Sequence, residues 1–99
     1  MQTVKFDFDE LIIAIDGRND NGMLLYGSAD LEPNGPTIEY GFYVSAIYLA
    51  QGTKLEANSR DVFERELFKR MAAVIENAAT TIGRHAAVEY GDANEQEAA

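Results

Sequence analysis

Thr37 to Ala50 reads TIEYGFYVSAIYLA, and the two faces of this stretch decide what the rest of the chain must supply. Its even positions are Ile38, Tyr40, Phe42, Val44, Ala46 and Tyr48, and its odd positions are Glu39, Gly41, Tyr43, Ser45, Ile47 and Leu49. A strand with one solvated face alternates apolar and polar residues, because successive side chains point to opposite sides. Here the second half is apolar on both faces. Either this chain covers both, or something outside it covers one.

Two further strands flank the stretch in the sequence. In TVKFDFDELIIAI, Val4, Phe6 and Phe8 share one parity and Leu11, Ile13 and Ile15 the other. A side-chain period of two does not allow a strand to change faces, so a bulge lies near Asp9-Glu10 or the second half is buried on both sides. MLLYGSADL, residues 23–31, is the second strand. The segment DGRNDNG before it is dense in turn formers, and Asn21-Gly22 suits a type I′ turn. The EPNGP segment after it, with Pro33 and Asn34-Gly35, signals a hairpin. Gly52 ends the third strand, after which QGTKLEA leads away.

The remainder is helical in pattern. Asn58 or Ser59 caps a helix of about residues 58–86, with Asp61 and Glu64 in its first turn, where the dipole favours negative charge. Phe63, Leu67, Met71, Val74, Ala78 and Ile82 recur at helical spacing, and Phe68, Ala72, Ile75 and Ala79 widen the stripe. Leu67, Met71, Val74 and Ala78 are the expected buried contacts. Gly83 weakens the helix or marks a cap.

The expected architecture is α+β: a three-stranded antiparallel meander, in the order β-β-β-α, with one long C-terminal helix packed on one face. Residues 1–88 form a single domain and residues 89–99 an acidic flexible tail. One helix covers one face of the sheet. The free face then carries part of Tyr26, Tyr40, Phe42, Tyr43, Val44 and Tyr48, and these residues are the expected interface of a homodimer.

Composition narrows the function classes. The 99 residues carry a formal charge of −9, with 17 acidic and 8 basic side chains and no cysteine. That balance disfavours direct binding to a nucleic-acid backbone or an anionic membrane and favours a basic partner. Without cysteine there is no disulfide, zinc-thiolate site or thiol nucleophile. The first ten residues lack a signal-peptide pattern, and the longest nearly apolar run, GFYVSAIYLA, is too short to span a bilayer, so the expected location is cytoplasmic.

Each motif that suggests chemistry has a plainer explanation. The oxygen-bearing residues of DGRNDNG do not fall at calcium-loop spacing. His85 is the only histidine and has no ligand-type neighbour at helical spacing beyond Thr81 and Glu89. Asp7 and Asp9 share a strand face about 7 Å apart, a glycosidase-like separation, but the chain has little room for a sugar cleft. No nucleophile elbow or phosphate-binding glycine loop occurs. No catalytic residue, metal site or cofactor is expected, and the chain reads as a non-enzyme.

The charge is unevenly spread. Residues 1–50 carry −6, residues 51–87 carry +1 and residues 88–99 carry −4. Asp7, Asp9, Asp16, Asp20, Asp30, Glu32 and Glu39 therefore form the expected partner-binding surface. They would place carboxylates where a nucleic acid places phosphates, against a basic groove on another protein. In size, acidity, lack of cysteine and lack of catalytic motif, the whole chain resembles small acidic phage- or mobile-element-encoded proteins of the anti-CRISPR inhibitor type. The likeness is one of general character and carries over no residue. It implies an inhibitor that blocks a basic nucleic-acid-binding surface of a host complex. The alternative is a structural or accessory protein of a phage or bacterial assembly.

Overall fold

The computed structural model describes residues 2–15 and 18–98, with side chains throughout except at 13–15, 18–23 and 95–98. The first strand, β1 (Val4–Ile15), pairs antiparallel with β2 (Arg18–Pro33), which pairs with β3 (Phe42–Leu49), which pairs with β4 (Lys54–Leu55). The sheet order follows the chain, as in a meander. Two helices, α1 (Val62–Glu76) and α2 (Thr81–Ala98), complete an α+β fold. Among the described residues, four strands and two α-helices stand where the sequence reading has three and one.

The bulge near Asp9-Glu10 is present. Phe8 pairs with Gly27 and Leu11 with Leu25, so Asp9 and Glu10 both stand opposite Tyr26. Glu10 takes a left-handed backbone conformation, φ 55°. The extra residue resets the parity, and Phe6, Phe8 and Leu11 are all buried on one face.

A second bulge resolves the two-sided third strand. Asp30 pairs with Ala46 and Leu31 with Val44, leaving Ser45 as the extra residue. Val44 before the bulge and Ile47 and Leu49 after it are therefore buried on the same face. The strand is also shorter than the quoted stretch, because Ile38–Tyr40 forms a 3-10 turn. Gly41, at φ 72°, re-aims the chain, and Asn34 closes the loop by donating its backbone N–H to the Gly41 carbonyl and its amide to the Phe42 carbonyl. The hairpin signalled by Pro33-Asn34-Gly35 thus has a long connection.

Two other local expectations shift. The ladder continues through Ile12–Leu24 and Ile13–Met23 to Ile15–Arg18, so Asn21-Gly22 lie within β2 and do not form the turn. After Leu49, Gly52 at φ 105° lets the chain reverse, and Lys54 and Leu55 return beside Tyr48 and Ile47.

The long helix is broken at residues 77–80. Asn77 leaves helical geometry at φ −97°, ψ 105°, and its side chain accepts from the Ala79 N–H. The Thr80 hydroxyl donates toward the Val74 and Asn77 carbonyls and accepts from the Gly83 N–H, which caps the start of α2. A Cβ on Gly83 would lie 1.9 Å from the Asn77 carbonyl oxygen, so this glycine admits the close approach between the two helices. Ala78 is consequently exposed and Val74 only partly buried, while Leu67 and Met71 are buried as expected together with Phe68, Ala72 and Ile75. The first helix starts later than expected, at Asp61, whose carboxylate accepts from the Glu64 N–H. Ser59 instead accepts from the Glu56 N–H, and Phe63 is exposed.

Helix α2 runs through residues 89–98, where the sequence reading draws a tail. Tyr90 and Asn94 are buried, and Asn94 accepts from the Gln2 N–H and donates to the Tyr90 carbonyl. With α1 over β3 and β4 and α2 along β1, both helices lie on the face that holds Phe6, Phe8, Ala29, Leu31, Val44 and Ile47.

Candidate interaction site

The uncovered face of the sheet follows from the pairing. Lys5 stands beside Asp30 and Ala46, Asp7 beside Ser28, Tyr48 and Lys54, Glu32 beside Tyr43, and Ile12 beside Leu24. Of the aromatic residues expected on a free face, Tyr26, Tyr43 and Tyr48 are there. Phe42 and Val44 are not: the bulge at Ser45 and the strand start at Phe42 turn both toward the helices. Val44 is buried, and the Phe42 ring lies 5.3 Å from the Tyr90 ring. Tyr40 sits in the 3-10 turn, against Gly35. The open face also presents Ile12 and Leu24, both exposed. Neither was singled out in the sequence, because only pairing across the bulged ladder brings them together.

The centre of this face is not uniformly acidic. The Lys5 and Lys54 ammonium groups lie 4.9 and 5.6 Å from the Tyr48 ring centroid, and the Tyr48 hydroxyl donates to Asp30 at 3.1 Å. A cation over an aromatic face is attracted by the ring quadrupole. Two lysines and a tied-down tyrosine therefore offset the charge of Asp7 and Asp30. Glu32 is half-buried on the same face and Glu39 is exposed in the 3-10 turn, beyond the strands. Asp16 and the Asp20 side chain lie outside the described residues. The expected acidic surface is thus divided between face, loop and edge.

The edge is where carboxylates gather. Asp7, Asp9 and Glu10 of β1 and Thr81, His85 and Glu89 of α2 line an open groove of about 610 Å³, floored by Phe6 and Phe8 and flanked by Ile82 and Val88, with Asp7 at the parity of the open sheet face, away from α2. No lysine or arginine among the described residues lines it. Among the described residues, none of its four carboxylates forms an ion pair. Glu10 and Glu89 are not among the expected partner-binding residues, one because it sits in the bulge and the other because the sequence reading assigns it to the tail. Thr81, His85 and Glu89 do share one side of a helix by their four-residue spacing.

A second groove, beside α1, is lined by Arg65, Glu66, Lys69 and Glu76 with Phe68 and three alanines, and its charges balance. Among the described residues, no group of three or more His, Asp or Glu side chains is arranged to hold a metal ion, and no helix is long and apolar enough to cross a membrane. Comparison with family models, with curated proteins and with solved structures finds no match.

Proposed function

We propose that this chain is a non-enzymatic interaction protein that occupies a basic, nucleic-acid-binding surface of another protein in the cytoplasm, in the manner of phage-encoded inhibitors. The observation that carries this reading is the set of carboxylates Asp9, Glu10 and Glu89, none of them in an ion pair among the described residues, along one edge of a chain of formal charge −9. Such a field attracts cationic surfaces and repels nucleic acid. The test is capture from cell lysate at low and at high salt, followed by gel-shift assays on the captured proteins. The expected result is a nucleic-acid-binding protein that is captured at low salt, is released at high salt, and loses its nucleic acid when the chain is added. Capture only of proteins that do not bind nucleic acid overturns the reading.

The open sheet face carries a second proposal, a homodimer. Ile12, Leu24, Tyr26 and Tyr43 are each more than two-fifths exposed and share this face. A two-fold axis would pack one such face on its copy. Light scattering at micromolar concentration is expected to give the mass of two chains, and Leu24→Lys to halve it. A mass of one chain for the parent overturns the dimer.

A further inference from the structure

The outer edge of β1 is unpaired among the described residues, since β1 ends the strand order. An exposed edge presents a row of backbone N–H and C=O groups that another strand can complete. Residues 4–8 form the regular part of that edge, before the bulge at Asp9-Glu10. Their side chains alternate: Val4, Phe6 and Phe8 turn toward the helices, and Lys5 and Asp7 toward the open face. Helix α2 runs beside the edge, with Asn94 bonded to Gln2 at one end and Thr81 and His85 by Asp9 and Glu10 at the other. Val88 of α2, exposed in the single chain, lines the groove along this edge.

We propose that this edge pairs antiparallel with the same edge of a second copy, about a two-fold axis at Phe6, joining two four-stranded sheets into one. The contact leaves the open sheet face free, so it is additional to the face-to-face dimer and independent of it. Charge and parity select the occupant and its register. A two-fold axis normal to the sheet keeps the helices of both copies on one side, so each residue meets one of its own parity. With the axis at Phe6, Lys5 stands opposite Asp7 of the second copy, and Asp7 opposite its Lys5. Val4 meets Phe8. The bulged Asp9 and Glu10 fall beyond the paired stretch, beside the uncharged Gln2 and Thr3 of the second copy. Moving the axis to Lys5 or to Asp7 would set like charges directly opposite, which is destabilising. A lone edge lysine ordinarily discourages pairing, but here its counter-charge lies two residues along the same strand. Lys5 leans over the Tyr48 ring in the single chain, and Lys54 remains over that ring when Lys5 turns outward. Glu89 overlooks the groove from α2 and, with the net charge of −9, opposes approach of two copies, an effect that moderate salt screens. A few residues on each side fall well short of the roughly 20–30 that each partner gives a stable interface, which places this contact at high protein concentration.

The test is sedimentation equilibrium of the full chain in moderate salt, from micromolar to millimolar concentration, in the Leu24→Lys background that is directed against the face contact. The mass is expected to rise from one chain toward two as concentration increases. Adding Lys5→Asp or Asp7→Lys, each checked for folding by circular dichroism, should weaken this association by about tenfold or more, because either change sets like charges at both symmetry-related pairs. An equimolar mixture of the two variants should restore it, since one then carries acid and the other base at both positions. No rise in mass up to millimolar concentration overturns the edge contact. So does a rise that the variants share equally, alone and mixed, and so does weakening in both without recovery on mixing. A Leu24→Lys chain that already has the mass of two at micromolar concentration removes the face contact, and the charge variants and their mixture then decide the edge in the same way. The mass of the parent at micromolar concentration bears on the face contact alone, so the two dimer readings fail separately.

Discussion

The carboxylate of Glu76, at the end of α1, accepts a hydrogen bond from the backbone N–H of Val44 at 2.9 Å. The short strand β4 pairs only with Ile47 and Tyr48, so the Val44 end of β3 lies beyond it. Glu76 completes that stretch of edge with a side chain instead of a strand. A hydrogen bond to a charged acceptor contributes about 1.5–3 kcal/mol when well shielded and less near solvent. Glu76→Ala is therefore expected to lower stability by about 1–2 kcal/mol, and Glu76→Gln, which keeps an acceptor oxygen, by less. Urea unfolding measures both. A loss below about 0.5 kcal/mol for the alanine variant would mean that water serves Val44 equally well.

Gly83 offers a test with an unusual sign. Replacing a helix-interior glycine by alanine ordinarily stabilises by about 1 kcal/mol. Here the new Cβ would sit 1.9 Å from the Asn77 carbonyl oxygen. Gly83→Ala is expected to destabilise by about 1–3 kcal/mol, as overpacking does. A gain in thermal stability would show that the turn between α1 and α2 relaxes freely.

Glu10 holds φ 55° without being glycine. A left-handed conformation costs an L-residue about 1–2 kcal/mol, offset in part by the greater entropy that glycine loses on folding. Glu10→Gly should thus leave stability unchanged or raise it by up to about 1 kcal/mol, whereas β-branched Glu10→Val should lower it. Thermal melts of the pair decide the point, and equal melting temperatures would argue against the bulge geometry.

The Tyr90 hydroxyl is buried and finds no hydrogen-bond partner among the described residues. Burial pushes its pKa above the ordinary tyrosine value. Because the folded state holds the proton more tightly, stability from the neutral phenol is fully present below about pH 10. It is lost as pH rises through the folded pKa, since the unfolded chain ionises first. Tyr90→Phe is expected to be neutral or to stabilise by up to about 1 kcal/mol at pH 7 and to flatten the fall above pH 10. Unfolding curves at pH 7 and pH 10.5 compare the two proteins, and an identical pH slope in both would assign the alkaline loss to other groups.

The strands that carry the core were legible where the chain announces a parity change. Phe6 and Phe8 against Leu11 cannot lie on one face without an extra residue, so the bulge at Asp9-Glu10 could be expected. The change in β3 was hidden, because Val44, Ala46, Ile47 and Leu49 are apolar at both parities and the small Ser45 at the shift gives no parity signal of its own. The helix break was hidden for a related reason. Ala78 and Ala79 suit a helix, and the interruption rests on side-chain oxygens of Asn77 and Thr80 that compete with the helical backbone.

The sequence by itself determined the charge balance, the absence of cysteine, the meander of antiparallel strands and the helical C-terminal half. Those features depend on composition and on local periods of two and 3.6 residues, which are written along the chain. Only the tertiary structure decided which face of each strand is covered and where the carboxylates meet. Bulges reset parity through backbone pairing with a neighbouring strand, and the turn at residues 77–80 sends α2 back along β1. Asp9 and Glu10 are brought beside Glu89 by that return, because proximity across nearly eighty residues depends on how the elements pack and not on any local pattern.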